Sequence, residues 1–176
     1  MAKVALMTIG LLQAPFGDPQ IQGFEDRVEA NFIAAEAHPN FIGRSRFDEV
    51  TQTHTWGGRS NPRIFQDEKF NDRTAQTLSL WQDLESVFAF AYNGVHGEAL
   101  SKRKEWFVRP QWPTYVAWWV RVKKTPSWEE AYERYDLLCR EGSSPDAFDF
   151  KRPFDCEGQP AKIDRNAVKR HIINYR

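Results

Sequence analysis

His96, Leu100, Arg103 and Phe107 stand at i, i+4, i+7 and i+11 in the stretch FAYNGVHGEALSKRKEWF. On a helix they share one face. His96 sits between Gly94 and Gly97 at a helix start, where the positive dipole end disfavours protonation. Such an imidazole can act as a base, ligate haem iron, or simply cap the helix. An inward-facing Arg103 must meet a carboxylate or an anionic ligand, since a guanidinium does not give up its proton. Asp83, Glu85 and Glu98 are the carboxylates within reach. Tyr92 and Tyr115 are able to hold or protonate a phenolate or enolate oxygen, or to make structural hydrogen bonds. Together these groups describe proton transfer: His96 moves the proton, and Arg103 or Arg46 stabilises the oxyanion that develops.

The elements that must position these groups follow from the periodicity. Val4 to Leu12 reads as a strand. Asp18 and Pro19 open a helix to about Ala37, and Phe41 to Val50 reads as a second strand. Thr74 to Trp81 is a third strand. Asp83 caps a helix to about Asn93, and a further helix runs past His96 to about Val108. TYVAWWVRV is a fourth strand. Ser127 to Glu130 spells a capping box for the last helix, which Gly142 ends. The order βαββαβ, with one helix added, predicts a ferredoxin-like α+β fold: an antiparallel sheet with helices on one face.

The strand faces suggest a pocket. Val116, Trp118, Val120 and Val122 form an apolar side for the helices. Tyr115, Ala117, Trp119 and Arg121 form the other, matched by Ser79 and Trp81 on the third strand and by Arg46 on the second. An aromatic-lined, partly polar pocket fits this mixture, and so does a dimer seam. Trp81, Trp119, Tyr115, Arg46 and Ser79 are therefore the expected substrate-binding residues. The loop THTWGGRSNP carries His54 and reads as either a Gly-hinged lid or an exposed turn. His38 and His171 receive no role.

Composition narrows the classes. The 176 residues suffice for one domain. The formal net charge is zero, from 24 basic and 24 acidic residues, which argues against nucleic acid as partner. Two cysteines, Cys139 and Cys156, lack metal-ligand spacing and fit a reduced cytoplasmic setting. VALMTIGLL is read as a strand, not a signal peptide, and no apolar run is long enough to span a membrane. No phosphate loop, nucleophile elbow or dinucleotide fingerprint is present.

LSLWQDLESVFAFAYNGVHGEALSKRKEWF, YVAWWVRV, SWEEAYERYDLLCREG and SPDAFDF resemble an uncharacterised bacterial domain family. That family is grouped with the dimeric α/β-barrel proteins related to antibiotic biosynthesis monooxygenases. The resemblance covers about residues 3 to 150. It implies a homodimeric barrel with a domain over residues 1–150. Residues 151–176 have few periodic signals and read as a C-terminal extension packed on the domain or on the partner. The resemblance also implies a small-molecule enzyme of specialised metabolism: a cofactor-independent oxygenase, cyclase or isomerase acting on an apolar or aromatic substrate. Haem-degrading relatives use an Asn, a Trp and a His. Trp81 and His96 are of those types at a different spacing, so a haem protein with His96 as ligand stands as the alternative. A non-catalytic binding module is the third expectation.

Overall fold

The structure, a computed structural model, describes residues 2–174. Along the described chain run β1 (Lys3–Leu11), α1 (Gln22–Ala37), β2 (Phe41–Arg44), β3 (Phe47–Asp48), β4 (Thr53–His54), β5 (Thr74–Trp81), α2 (Leu84–Tyr92), α3 (Gly94–Ser101), β6 (Tyr115–Val120), α4 (Trp128–Glu141) and α5 (Arg165–Asn174). β1 is apolar on both sides, which places it inside a sheet. It pairs antiparallel with β5 on one edge and β6 on the other, and β2 pairs with β5, giving the order β2-β5-β1-β6. The register sets Val4 opposite both Trp81 and Trp119, and Thr8 opposite both Thr77 and Tyr115.

Helices cover both faces of this sheet, which corrects the expectation of helices on one face. Ala5, Met7, Leu78, Leu80, Val116 and Trp118 pack against Trp128, Ala131, Tyr135 and Leu138 of α4. On the opposite face Val4, Leu6, Trp81 and Ala117 meet Ala35 of α1, Leu84 and Val87 of α2, and Phe148 beyond α4. The reason is area. Each Trp or Tyr on the mixed face brings a large apolar body, so that face needs cover as much as the aliphatic one. Each large side chain buried this way stabilises the fold by about 1.5–3 kcal/mol.

Local chemistry sets the boundaries. The Ser127 hydroxyl accepts from the Glu130 amide at 3.1 Å, and Gly142 ends α4 at φ 76°. The second strand is shorter than expected. The Ser45 amide still bonds Leu78 O at 2.8 Å, but Arg46 then pairs with Thr55, so the chain leaves the sheet for the β3–β4 hairpin. The helix carrying His96 ends at Ser101, not near Val108, and a tight turn over Arg103–Glu105 follows. That turn drives Phe107 onto Gly10, where a Cβ would lie 2.5 Å from the ring.

The extension after Phe150 packs on the chain's own domain. Phe154 and Ile163 join the core beside Trp81, and α5 lies along α2. Asp164 starts α5 by accepting from the Asn166 amide at 2.8 Å. This helix is missed by periodicity, because Arg, Asn and Lys dilute its few apolar positions.

Candidate functional site

The expected pocket on the mixed sheet face is filled by the chain itself. Trp81 is 1 % exposed, and its indole donates to the Ser79 hydroxyl at 2.9 Å. His38, Phe41 and Phe90 crowd its ring at 5.0–5.4 Å. Trp119 donates to Phe154 O at 2.8 Å, and the Tyr115 hydroxyl accepts from the Phe150 amide at 3.0 Å. Burial pushes the Tyr115 hydroxyl to hold its proton more tightly than usual. Tyr92 is 44 % exposed and packs on Phe88, the ring centroids 4.5 Å apart and the planes tilted by 43°. The polar atoms of Trp81, Trp119 and Tyr115 are thus bonded to Ser79 and to the segment after α4.

His96 and Arg103 are not brought together. His96 is half-buried against Phe90, with Nδ1 2.8 Å from Ala91 O, and burial holds its proton affinity below the usual imidazole value. Arg103 lies exposed in the turn after α3 and donates to Leu100 O at 2.8 Å. The phase of the helical face is lost where α3 stops, which turns Arg103 outward. Its expected carboxylate partners are engaged elsewhere: Glu98 pairs with Lys102 at 2.9 Å and Arg27 at 3.3 Å, Asp83 caps α2, and Glu85 accepts from the Asp164 amide. Arg46 is exposed and pairs with Glu36 at 2.9 Å, alongside Arg44. Haem ligation would need a slot for a flat macrocycle beside His96. The bond from Nδ1 to Ala91 O leaves Nε2 as the ring atom that could ligate iron, and the Phe90 ring packs 4.9 Å from the imidazole.

Polar groups converge at the other end of the molecule. An open surface cleft of about 460 Å³ is lined by His54, Arg59, Ser60, Asn61, Gln66, Asn71 and Thr74. Its walls are fixed by side-chain bonds. The Asn61 carbonyl accepts from Thr74 Oγ1 at 2.8 Å and from Gln76 Nε2 at 2.9 Å, while its amide donates to Asn71 Oδ1 at 3.1 Å. The Tyr132 hydroxyl, on α4, donates to Ser60 O at 2.7 Å and accepts from the Ser60 amide at 2.9 Å. The loop read as either a lid or an exposed turn forms one wall of this cleft. Trp56 adopts a left-handed φ of 67°, costly for a bulky residue, and its carbonyl accepts from the Trp128 amide at 2.9 Å.

Two side chains give this cavity chemical character. Arg59 is half-buried, and Nη2 donates to Thr74 O at 3.0 Å. Among the described residues no carboxylate forms an ion pair with it. Burial lowers its proton affinity, yet a guanidinium keeps its charge at neutral pH. His54 lies 5.2 Å from the Phe47 ring and 6.1 Å from Trp128. Burial first, and then the charge of Arg59, pushes the His54 imidazole towards its neutral form. Sequence reasoning passed over Arg59. One signal was available: from Thr51 to Gln66 the chain has no acidic residue to neutralise it.

Among the described residues no three His, Cys, Asp or Glu side chains gather to hold a metal ion, and no helix is long and apolar enough to cross a membrane. Residues 3–164 match the model of a family described as a domain of unknown function, DUF3291. The crystal structure of a protein of unknown function from Nitrosomonas europaea is similar at 13 % identity, covering 72 % of this chain and 97 % of that one, with a TM-score of 0.44. No curated protein is significantly similar to the sequence.

Proposed function

Because the chain belongs to the DUF3291 family, which is described only as a domain of unknown function, we propose its role from the cavity alone: it acts on a small polar molecule held between β4, residues 59–71 and β5. One observation carries this reading. A neutral-leaning imidazole and a guanidinium without a carboxylate partner line the same fixed-walled cavity. A neutral imidazole accepts a proton, and a fixed guanidinium stabilises the oxyanion that forms. That is the chemistry of the isomerase, cyclase or cofactor-independent oxygenase expected from the sequence. His54 takes the part given to His96, and Arg59 the part given to Arg103 and Arg46. The substrate is then polar rather than flat and aromatic, since the aromatic face is closed. Thermal-shift screening of the protein against polar metabolites tests the proposal. A ligand should raise the melting temperature of the wild type and fail to do so in Arg59→Gln. A ligand response that both Arg59→Gln and His54→Gln retain in full would overturn it.

The antiparallel order β2-β5-β1-β6, with helices between β1 and β2 and between β5 and β6, supports a ferredoxin-like reading and kinship with the monooxygenase-like proteins. The homodimeric barrel of that superfamily stacks two sheets and is less well supported, because α4 and α1–α2 already occupy the two faces. Haem binding through His96 is the second reading, since the Nδ1 bond to Ala91 O leaves Nε2 available as a ligand atom. Absence of a Soret band on adding haem would dispose of it.

A further inference from the structure

Resting on the reading of this cavity as the ligand site, we infer that its ligand carries a single carboxylate, which Arg59 binds. Charge is the first ground. Arg59 is the one permanent charge on the cavity wall, and no Asp or Glu lines it. The Trp128 ring, 6.0 Å from its Cζ, offsets part of the guanidinium's desolvation, and an anion would offset the rest. The second ground is geometry. Only Nη2 has a protein acceptor, Thr74 O at 3.0 Å, so Nε and Nη1 have none among the described residues. A carboxylate fits such a planar fork through two parallel bonds. Asn71 adds a donor at the same wall, since its Oδ1 is taken by Asn61 while its Nδ2 has no acceptor among the described residues. The third ground is contrast with the neighbouring cavity of about 340 Å³, which shares Ser60, Asn61 and Gln66. There Arg63 is matched by Asp136 at 3.1 Å, so that wall needs no outside anion. One permanent cation suits a carboxylate better than a phosphate dianion, and the volume admits a small metabolite.

The test uses isosteric probes on the full chain: acetate against acetamide, with inorganic phosphate as the dianion, followed by the Arg59 Nε–Hε resonance and its neighbouring amides in ¹⁵N NMR. Acetate should shift these signals saturably, and acetamide should bind roughly tenfold more weakly or not at all. Arg59→Lys should weaken acetate because it keeps the charge but loses the fork, and Arg59→Gln should abolish the effect. A dispersed amide spectrum for each variant establishes that it folds. Arg59→Lys keeps the proposal falsifiable should Arg59→Gln not fold. Equal binding of acetamide and acetate, or an acetate response unchanged in Arg59→Lys and Arg59→Gln, would overturn the carboxylate inference while leaving the cavity a ligand site for neutral molecules. Phosphate binding roughly tenfold tighter than acetate would also overturn it. If none of the three probes binds, and the polar metabolites also leave the melting temperature unmoved, the ligand site itself is overturned.

Discussion

Trp81 and Arg59 occupy opposite ends of one strand and its approach, and their surroundings resolve the same problem in different ways. Around Trp81 the indoles and the phenol find partners within the chain: the Trp81 indole uses Ser79, Trp119 uses Phe154 O, and Tyr115 uses the Phe150 amide. Around Arg59 several neutral groups bond one another, Asn61 with Gln76 and Ser60 with Tyr132, while Arg59 has one carbonyl and the Trp128 ring at 6.0 Å, and no carboxylate partner among the described residues. A folded interior rarely leaves polar groups without partners. The first region is therefore finished by folding. The second keeps guanidinium donors open at the surface, where the proposed ligand would bind. Residue type alone does not separate them, because aromatic and cationic groups occur in both.

Four substitutions or conditions probe this contrast, and they fall in order of expected size. Trp81→Ala should cost about 3–5 kcal/mol of stability, because it empties a fully enclosed site. Denaturant unfolding measures it, and a small loss would mean that the aromatic face has room for a ligand after all. Gly10→Ala should cost about 1–3 kcal/mol by forcing a methyl group into the Phe107 ring, again read by unfolding. Arg59→Gln should change stability by about 1 kcal/mol or less, since it removes one bond to Thr74 O, yet it should remove ligand binding. A large loss of stability there would recast Arg59 as structural. Acidification should have the mildest effect. Burial holds His38, His54 and His96 below the usual imidazole value in the folded chain. The unfolded chain then binds more protons as pH falls below about 6.5, so stability present above that pH is lost as these groups are forced to charge. Melting temperatures at about pH 7.5 and pH 5.5 should show the drop, and His96→Gln should reduce it.

The sheet was legible because its signals are local. Thr74 to Trp81 alternates, TYVAWWVRV is dense in strand formers, and Ser127 with Glu130 marks a helix start that the structure reproduces. His96 and Arg103 misled because the wheel assumes an unbroken helix, and α3 ends between them. The closure of the aromatic face depended on Phe148, Phe150 and Phe154 returning across it, a long-range event with no local periodicity. The polar cavity was hidden for a similar reason. His54, Arg59 and Asn71 lie in irregular segments, and only the return of β5 and the packing of α4 bring them to one wall. The lack of acidic residues from Thr51 to Gln66 was the one clue in the chain itself.

Phe148 has a second effect through its backbone. Its amide and carbonyl bond Ala117 at 2.9 and 2.8 Å, on the side of β6 turned away from β1. An outer strand of this composition, YVAWWV, would otherwise offer its main chain to any passing β-segment, the usual opening move of fibril growth. By seating itself mid-strand, Phe148 acts as a built-in terminator, so the segment after α4 guards the protein's colloidal behaviour as well as its core.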